Sequence, residues 1–263
     1  MDRRNFLSTS LGASALSLAG AEAADAAGTP EYYELRRYQQ RSGAGTRVCD
    51  QYFSGVLIPA LNRLGIGPVG AFSIYFGPDT PATYLLLPSA KLETLVTAEL
   101  ELAKDPAFLK VAAPFWEPQG GETPFITVES TLLRAFEGYP KLTVPAAAQK
   151  KEKRLYHLRE YVSATPFNHA RKVEMFHHGE FAIFARAGAA NVFYADVLVG
   201  PRMPSLFYML SFPDMAALEE GWAKFGADPE WKKLAADPRY KLDPPTVSNV
   251  SSLVLRPQAY SQV

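Results

Sequence analysis

The sequence predicts an α+β protein, two tandem ferredoxin-like βαββαβ domains packed sheet to sheet. Three observations carry that expectation. The chain matches itself at an offset of 123 residues (156 − 33): Tyr33-Glu34-Leu35-Arg36-Arg37-Tyr38 falls on Tyr156-His157-Leu158-Arg159-Glu160-Tyr161. The same offset sets Gly65 on Gly188, Gly77-Pro78 on Gly200-Pro201, Tyr84 on Phe207 and Asp105-Pro106 on Asp228-Pro229. It slips by one where Leu133-Arg134 meets Leu255-Arg256. Each copy also reads in the order β-α-β-β-α-β. Finally, two helices cover only one face of such a sheet, yet both faces carry Tyr, Phe and Val. The bare face must be buried, and the second copy's sheet is the available partner. Facing sheets give a closed or nearly closed α+β barrel with a central cavity.

The elements follow in order. Tyr-rich strands open the copies at about 31–39 and 154–162. Helices follow at about 46–64 and 167–187; Val48, Tyr52, Val56, Ala60 and Leu64 recur at helical spacing in the first, and Val173, Phe176, Phe181 and Phe184 roughly so in the second. Pro59 should kink or divide the first helix, because it offers no N–H. Gly65 and Gly188 sit where glycine stops a helix. Strand pairs come next, at about 69–76 with 83–88 and 192–199 with 205–211. The Gly- and Pro-rich segments at 77–81 and 200–204 separate them as turns. Second helices are expected at about 90–104 and 214–226, and a further helical turn begins at Asp105-Pro106 or Asp228-Pro229, with Asp as N-cap and Pro at the first helical position. Strands at about 125–134 and 247–256 close the copies.

The domain boundaries follow: a signal over 1–26, a first domain over 27–138, a linker over 139–153 and a second domain over 154–263. Asp2-Arg3-Arg4-Asn5-Phe6-Leu7-Ser8 is close to a twin-arginine signal, and the apolar run from Leu11 to Ala19 is too short to span a bilayer. The expected location is therefore outside the cytoplasmic membrane of a bacterium, periplasmic or extracellular, with no membrane association once the signal is cleaved. Cys49 is the single cysteine, so no intrachain disulfide or cysteine-based metal site is possible. It is expected as a small buried residue. The 27 basic and 27 acidic residues balance, and no basic stripe points to nucleic acid. The charge run Lys150-Lys151-Glu152-Lys153-Arg154 reads as a solvated stretch.

Tyr33–Tyr38 and Tyr156–Tyr161 resemble the opening strand of NIPSNAP-domain proteins. Asp228-Pro229-Glu230-Trp231 resembles the "DPEW" element near the end of that domain, and Asp105-Pro106-Ala107-Phe108 is a weaker copy. The resemblance covers about 31–134 and 154–256. It implies membership of the dimeric α/β-barrel superfamily, which hosts haem enzymes, cofactor-free monooxygenases, isomerases and proteins of unknown activity. NIPSNAP domains have no agreed catalytic residue set to carry over, so fold does not decide function.

Strand alternation divides each opening strand into two faces. Tyr33, Leu35 and Arg37 share one, as do Tyr156, Leu158 and Glu160. If the apolar face lies against the helices, then Glu34, Arg36, Tyr38, His157, Arg159 and Tyr161 point into the barrel and form the candidate ligand-binding set. Arg36 and Arg159 suit a carboxylate through their planar fork of donors. His157 stands where the first copy has Glu34, and with Tyr161 it is the catalytic candidate. The alternative is that Glu–Arg pairs knit the sheets together and nothing binds. No metal site is expected: His177 and His178 point about 100° apart on a helix, and His169 with His177 lacks the i, i+4 spacing. Trp116, Trp222 and Trp231 are expected to pack in the helical layers. Gly43-Ala44-Gly45 is no phosphate cradle, and Ser8, Ser54 and Ser73 lack a nucleophile-elbow context.

Three function classes remain. The first is an exported protein binding a small, partly apolar or anionic molecule in the cavity between the repeats. The second is an enzyme, either a cofactor-free monooxygenase or isomerase, or a haem protein; no cofactor is expected otherwise. The third is a cell-envelope interaction module whose repeats form homo-oligomers.

Overall fold

The computed structural model describes residues 28–121 and 123–263; the expected signal, 1–26, lies outside the described residues. The first half runs β1 (Tyr32–Gln40), α1 (Ala44–Tyr52), α2 (Ile58–Arg63), β2 (Gly70–Ile74), β3 (Ala82–Ser89), α3 (Leu92–Leu102), α4 (Pro106–Trp116) and β4 (Phe125–Ala135). A short α5 (Ala146–Gln149) follows. The second half runs β5 (Leu155–Val162), α6 (Pro166–Met175), α7 (Phe181–Arg186), β6 (Ala190–Val199), β7 (Ser205–Phe212), α8 (Met215–Ala227), α9 (Pro229–Ala236) and β8 (Asn249–Pro257).

Local chemistry explains the breaks. One wide π-type turn, Phe53–Leu57, joins α1 to α2 and divides the helix just before Pro59. The missing N–H of Pro59 then falls in the first turn of α2, where a donor is not needed. The second half has the same wide turn at Phe176–Glu180 without a proline; there Gly179 takes φ 151, which a side chain would oppose. Asp105 caps α4 by accepting from the N–H groups of Ala107 and Phe108 at 2.9 and 3.2 Å. Asp228 caps α9 through Glu230 and Trp231 at 2.8 and 3.2 Å.

Eight antiparallel strands close into a barrel in the order β1-β3-β2-β8-β5-β7-β6-β4. The first half supplies the neighbours β4-β1-β3-β2 and the second supplies β8-β5-β7-β6. Two seams join them: Phe72–Ile74 against Leu255–Pro257, and Leu132–Ala135 against Ala195–Val199. Both seams lie towards the end where β1 and β5 begin. Above them β4 and β8 continue beside β1 and β5 alone, which leaves the other end open as a mouth.

Three apolar clusters result. One lies between the first half's strands and its helices, around Tyr38, Phe53, Leu61 and Leu85. A second is its counterpart around Phe176, Phe184, Tyr208 and Phe225. The third fills the barrel and draws on both halves: Tyr33, Phe72, Tyr156, Phe193 and Met209 are wholly buried at its lower end. The segment 139–153, expected as a linker, closes this end. Leu142 and Val144 pack against the barrel core, and the Tyr139 hydroxyl donates to the Asn191 carbonyl at 2.9 Å. The fully buried Val263 plugs the same end.

The structure reverses the expected facing of the opening strands. Tyr33, Leu35, Tyr156 and Leu158 point into the barrel. Glu34, Arg36, Tyr38, His157, Arg159 and Tyr161 point outwards, beneath the helices, and so do not line the cavity between the halves. The reason is access to water. The lower barrel is walled all round, so it takes the apolar residues. The helical layer is one helix thick, and a long side chain lying under it can carry its charge to the rim. Arg36 does so by reaching Glu99 on α3, whose side chain is 63% exposed.

Candidate functional site

The mouth of the barrel holds a cavity of about 380 Å³. Leu35 and Leu158 form its floor, Tyr84, Phe207 and Leu253 its apolar wall, and Pro78 and Pro201 its rim. In the barrel order three strands separate β1 from β5 on either side, so the two strands are diametrically opposite. The interior therefore descends in facing pairs: Arg37 and Glu160 at the mouth, Leu35 and Leu158 below them, Tyr33 and Tyr156 at the base. Packing fills the lower two levels and leaves the top one open.

The charged groups of the mouth are paired with reversed polarity. Arg37 on β1 donates to Asp79 in the β2–β3 turn at 2.9 Å and to Glu129 on β4 at 3.0 Å. At the corresponding places the second half has Glu160 on β5, Arg202 in the β6–β7 turn and Ser251 on β8. Arg202 donates to Glu160 and, at 3.3 Å, to the Ser251 hydroxyl. The inner member of each set is largely buried. The outer members, Asp79, Glu129 and Arg202, have side chains more than half exposed. Burial raises the Glu160 carboxyl above its ordinary range, and Arg202 opposes the rise.

The six residues singled out in the sequence form two separate outer clusters. In the first half, Arg36 donates twice to Glu34, at 2.7 and 2.9 Å, and once to Glu99 at 2.8 Å; Ser130 adds a bond to Glu34 at 2.7 Å. Tyr38 packs on Phe53 and Phe125. In the second half, His157 and Trp222 replace Glu34 and Glu99, so Arg159 has no carboxylate partner among the described residues. Its guanidinium lies 4.6 Å from the Trp222 ring and donates to the Tyr161 hydroxyl at 3.2 Å, while its buried Nε has no partner. The Tyr161 and Tyr208 hydroxyls share a hydrogen bond at 2.7 Å. Beneath them lies a buried Lys172–Glu180 ion pair where the first half has Cys49 and Leu57.

His157 is held as a neutral structural imidazole. Trp222 Nε1–H can only donate, so Nδ1 accepts it, at 3.0 Å. Nε2 then carries the proton and donates to the Ser252 hydroxyl at 2.6 Å. Burial, and then the charge of Arg159, push the imidazole pKa down to about 4. Both nitrogens are committed and neither faces a cavity, so the geometry gives His157 no substrate proton to take.

None of the chain's four histidines lines the mouth. His169 Nε2 meets Asp196 at 2.7 Å, and His177 bonds the Val173 carbonyl and the Gly138 N–H at 2.9 and 3.0 Å. His178, half exposed, meets the hydroxyl of the buried Tyr240 through Nδ1 at 2.6 Å. No histidine lines this cavity, so its residues do not fit a histidine-ligated haem. Among the described residues no group of three or more His, Cys, Asp or Glu could hold a metal ion, and no helix is long and apolar enough to cross a membrane.

The fold and cavity define a closed antiparallel barrel with flanking helices and one open, mixed-polarity mouth. Residues 155–262 match the NIPSNAP family model. Among solved structures, the chain is similar to a protein of Fusobacterium nucleatum subsp. nucleatum provisionally assigned as a monooxygenase (TM-score 0.55, 9% identity, covering 88% of this chain and 93% of that one). It is also similar to an anthrone oxidase-like protein (TM-score 0.52, 11% identity, 88% and 93%). An uncharacterised NIPSNAP-like domain protein of Burkholderia xenovorans matches at TM-score 0.36 and 18% identity, covering 42% of this chain and 90% of that one. The likenesses to the first two describe the fold alone. No curated protein matches the chain.

Sequence reasoning passed over Arg37, Tyr84, Glu160, Arg202 and Phe207. One signal was present: at the offset of the two halves Arg37 becomes Glu160 and Asp79 becomes Arg202, so two opposite charges exchange together.

Proposed function

We propose that the chain binds a small, partly apolar molecule at the mouth of the barrel, and that its two halves are fused ferredoxin-like copies of one domain, each supplying half of the site. One observation carries the reading. The barrel is packed solid below Leu35 and Leu158 and empty above them, and the empty volume is within the range of small-molecule sites. Corresponding elements of the two halves, including the wide turns and the Asp caps, support the duplication. Of the two ligand classes expected, the partly apolar one is favoured. Both arginines of the mouth already face carboxylates, so a simple anion would meet as much repulsion as attraction.

The test is mass spectrometry of small molecules carried by the purified chain, beside a Leu158→Trp variant whose indole fills the floor. A compound bound by the parent and lost from a folded variant is expected. The same compound on both proteins would refute the site.

A second reading is a cofactor-free monooxygenase or isomerase, and Glu160 favours it. Burial raises its carboxyl pKa although Arg202 opposes the rise, and a carboxylate so placed beside Phe207 and Leu158 can accept a proton from a carbon acid. Proteins of the same fold include the provisionally assigned monooxygenase and the anthrone oxidase-like protein. The measurement is oxygen uptake with anthrone. Uptake that Glu160→Gln abolishes would support this reading, and unchanged uptake in that variant would remove Glu160 from it.

Export completes the proposal. Arg3-Arg4 followed by an apolar run supports twin-arginine targeting. Replacing both arginines by lysine should leave the chain in the cytoplasm; continued export would exclude that route.

A further inference from the structure

The mouth of the barrel is a dipolar clamp. We infer that it selects molecules with an apolar middle, an anionic or carbonyl acceptor at one end and a cationic or hydrogen-bond-donating group at the other. The inference rests on the mouth being a binding site and adds the chemistry of its occupant.

Topology carries the argument. Arg37 and Glu160 occupy the same level of diametrically opposite strands, one strand bearing a fixed positive charge and the other a carboxyl. Two identical halves would place like charges across the mouth, two arginines or two glutamates. This chain has exchanged the sign of the inner group and of its turn partner together, Arg37 with Asp79 against Glu160 with Arg202. Exchange of the whole pair keeps an arginine beside a carboxylate in each half, with Glu129 a second carboxylate at the first half's rim where the second half has Ser251, while the inner groups become polar across the width of the interior. The side walls repeat the asymmetry. Tyr84, paired in register with Arg37, adds a phenol to the positive side, whereas Phe207, paired with Glu160, adds none. Between the two ends lie Leu35, Leu158 and Leu253.

The present ion pairs do not block such a ligand. The partners of Arg37 and Glu160 sit at the rim with side chains more than half exposed, and an exposed partner gives up its bond to water at little cost. A ligand carboxylate can then share Arg37, and a ligand ammonium can share Glu160, inside a drier space where each bond is stronger. A singly charged molecule satisfies one wall and leaves the other facing an apolar tail.

The test is calorimetric titration of the full mature chain at low salt with 6-aminohexanoate and its shorter and longer homologues, against hexanoate, hexylamine and hexanol. One length of the zwitterion is expected to bind at least tenfold more tightly than hexanoate and hexylamine. Glu160→Gln should erase the advantage over hexanoate, and Arg37→Gln the advantage over hexylamine. Glutamine keeps the shape of Glu160, so a fold defect is separable by comparing thermal unfolding. Equal binding of the zwitterion and a singly charged analogue would overturn the dipolar clamp while leaving the cavity a binding site. Tighter binding of hexanol than of every charged probe would do the same. No binding by any of the set would overturn the clamp and the proposed function together.

Discussion

Arg36 and Arg159 occupy matching places in the two halves, yet removing them should have unequal consequences for stability. Arg36→Met strips Glu34 of both short bonds and leaves that buried carboxylate with Ser130 alone. Removing one partner of a buried pair costs about 3–5 kcal/mol. The remaining Ser130 bond and the slight exposure of Glu34 put this case at the lower end, about 3 kcal/mol. The lost bond to Glu99 adds less than about 1 kcal/mol, because that carboxylate is mostly solvated. Arg159→Met strands no carboxylate. It removes a cation–π contact worth about 0.5–2 kcal/mol and one long hydrogen bond to Tyr161. It also removes a buried donor without a partner, which by itself costs about 1–3 kcal/mol. These contributions cancel to within about 1 kcal/mol, and the two variants should differ by about 2–3 kcal/mol. Urea titrations read by far-ultraviolet circular dichroism, with equal slopes required of all three proteins, measure the difference. Equal losses in the two variants would refute the claim that the second half's arginine lacks a counter-ion.

Three further outcomes follow from the same geometry. His157 is held neutral with its pKa near 4 against an ordinary 6.5, so the unfolded chain binds the extra proton between those values. Its contribution is therefore present above about pH 6.5 and lost as pH falls towards 4, by at most about 3 kcal/mol. Glu160, whose folded pKa is raised, acts in the opposite sense as pH rises above its unfolded value, so the comparison must be the parent against His157→Asn, in which the His157 slope disappears. Phe193→Ala should cost about 3–5 kcal/mol in chemical denaturation, because the ring is wholly buried against Tyr33 at the plugged end; a loss below about 1 kcal/mol would show that end to be loosely packed. Asp105→Ala should lower stability by about 1 kcal/mol through loss of the α4 cap, with Asp105→Asn retaining most of it.

Much of the architecture is written in local patterns. Period-two alternation marks β1 and β5, helical spacing marks the segments after them, and Asp105-Pro106 and Asp228-Pro229 announce the caps that start α4 and α9. Pro59 forecasts the divided helix, although the same wide turn forms around Gly179 without a proline. The candidate site was harder to see. Alternation separates Leu35 from Arg36, but both faces of β1 are buried in this barrel, so periodicity alone does not say which face is inside. The charges of Glu34, Arg36 and Arg159 were expected in the cavity. Instead the closed lower barrel excludes them, and the helical layer lets Arg36 find Glu99 at the solvent boundary. His157 shows the same limit, because nothing near it in the sequence announces Trp222 or Ser252, and these two partners decide its protonation.

The sequence by itself determined the succession of strands and helices, the correspondence of the two halves and the places where helices start and stop, because these depend on residues within a few positions of one another or on a repeated pattern. Tertiary structure alone decided which side of each strand is the interior, where the two halves are stitched, and that Arg37 and Glu160 line one open mouth from opposite strands. Those outcomes depend on strands far apart in the chain competing for the same dry space, and a side chain's neighbours there come from barrel closure rather than from its own segment.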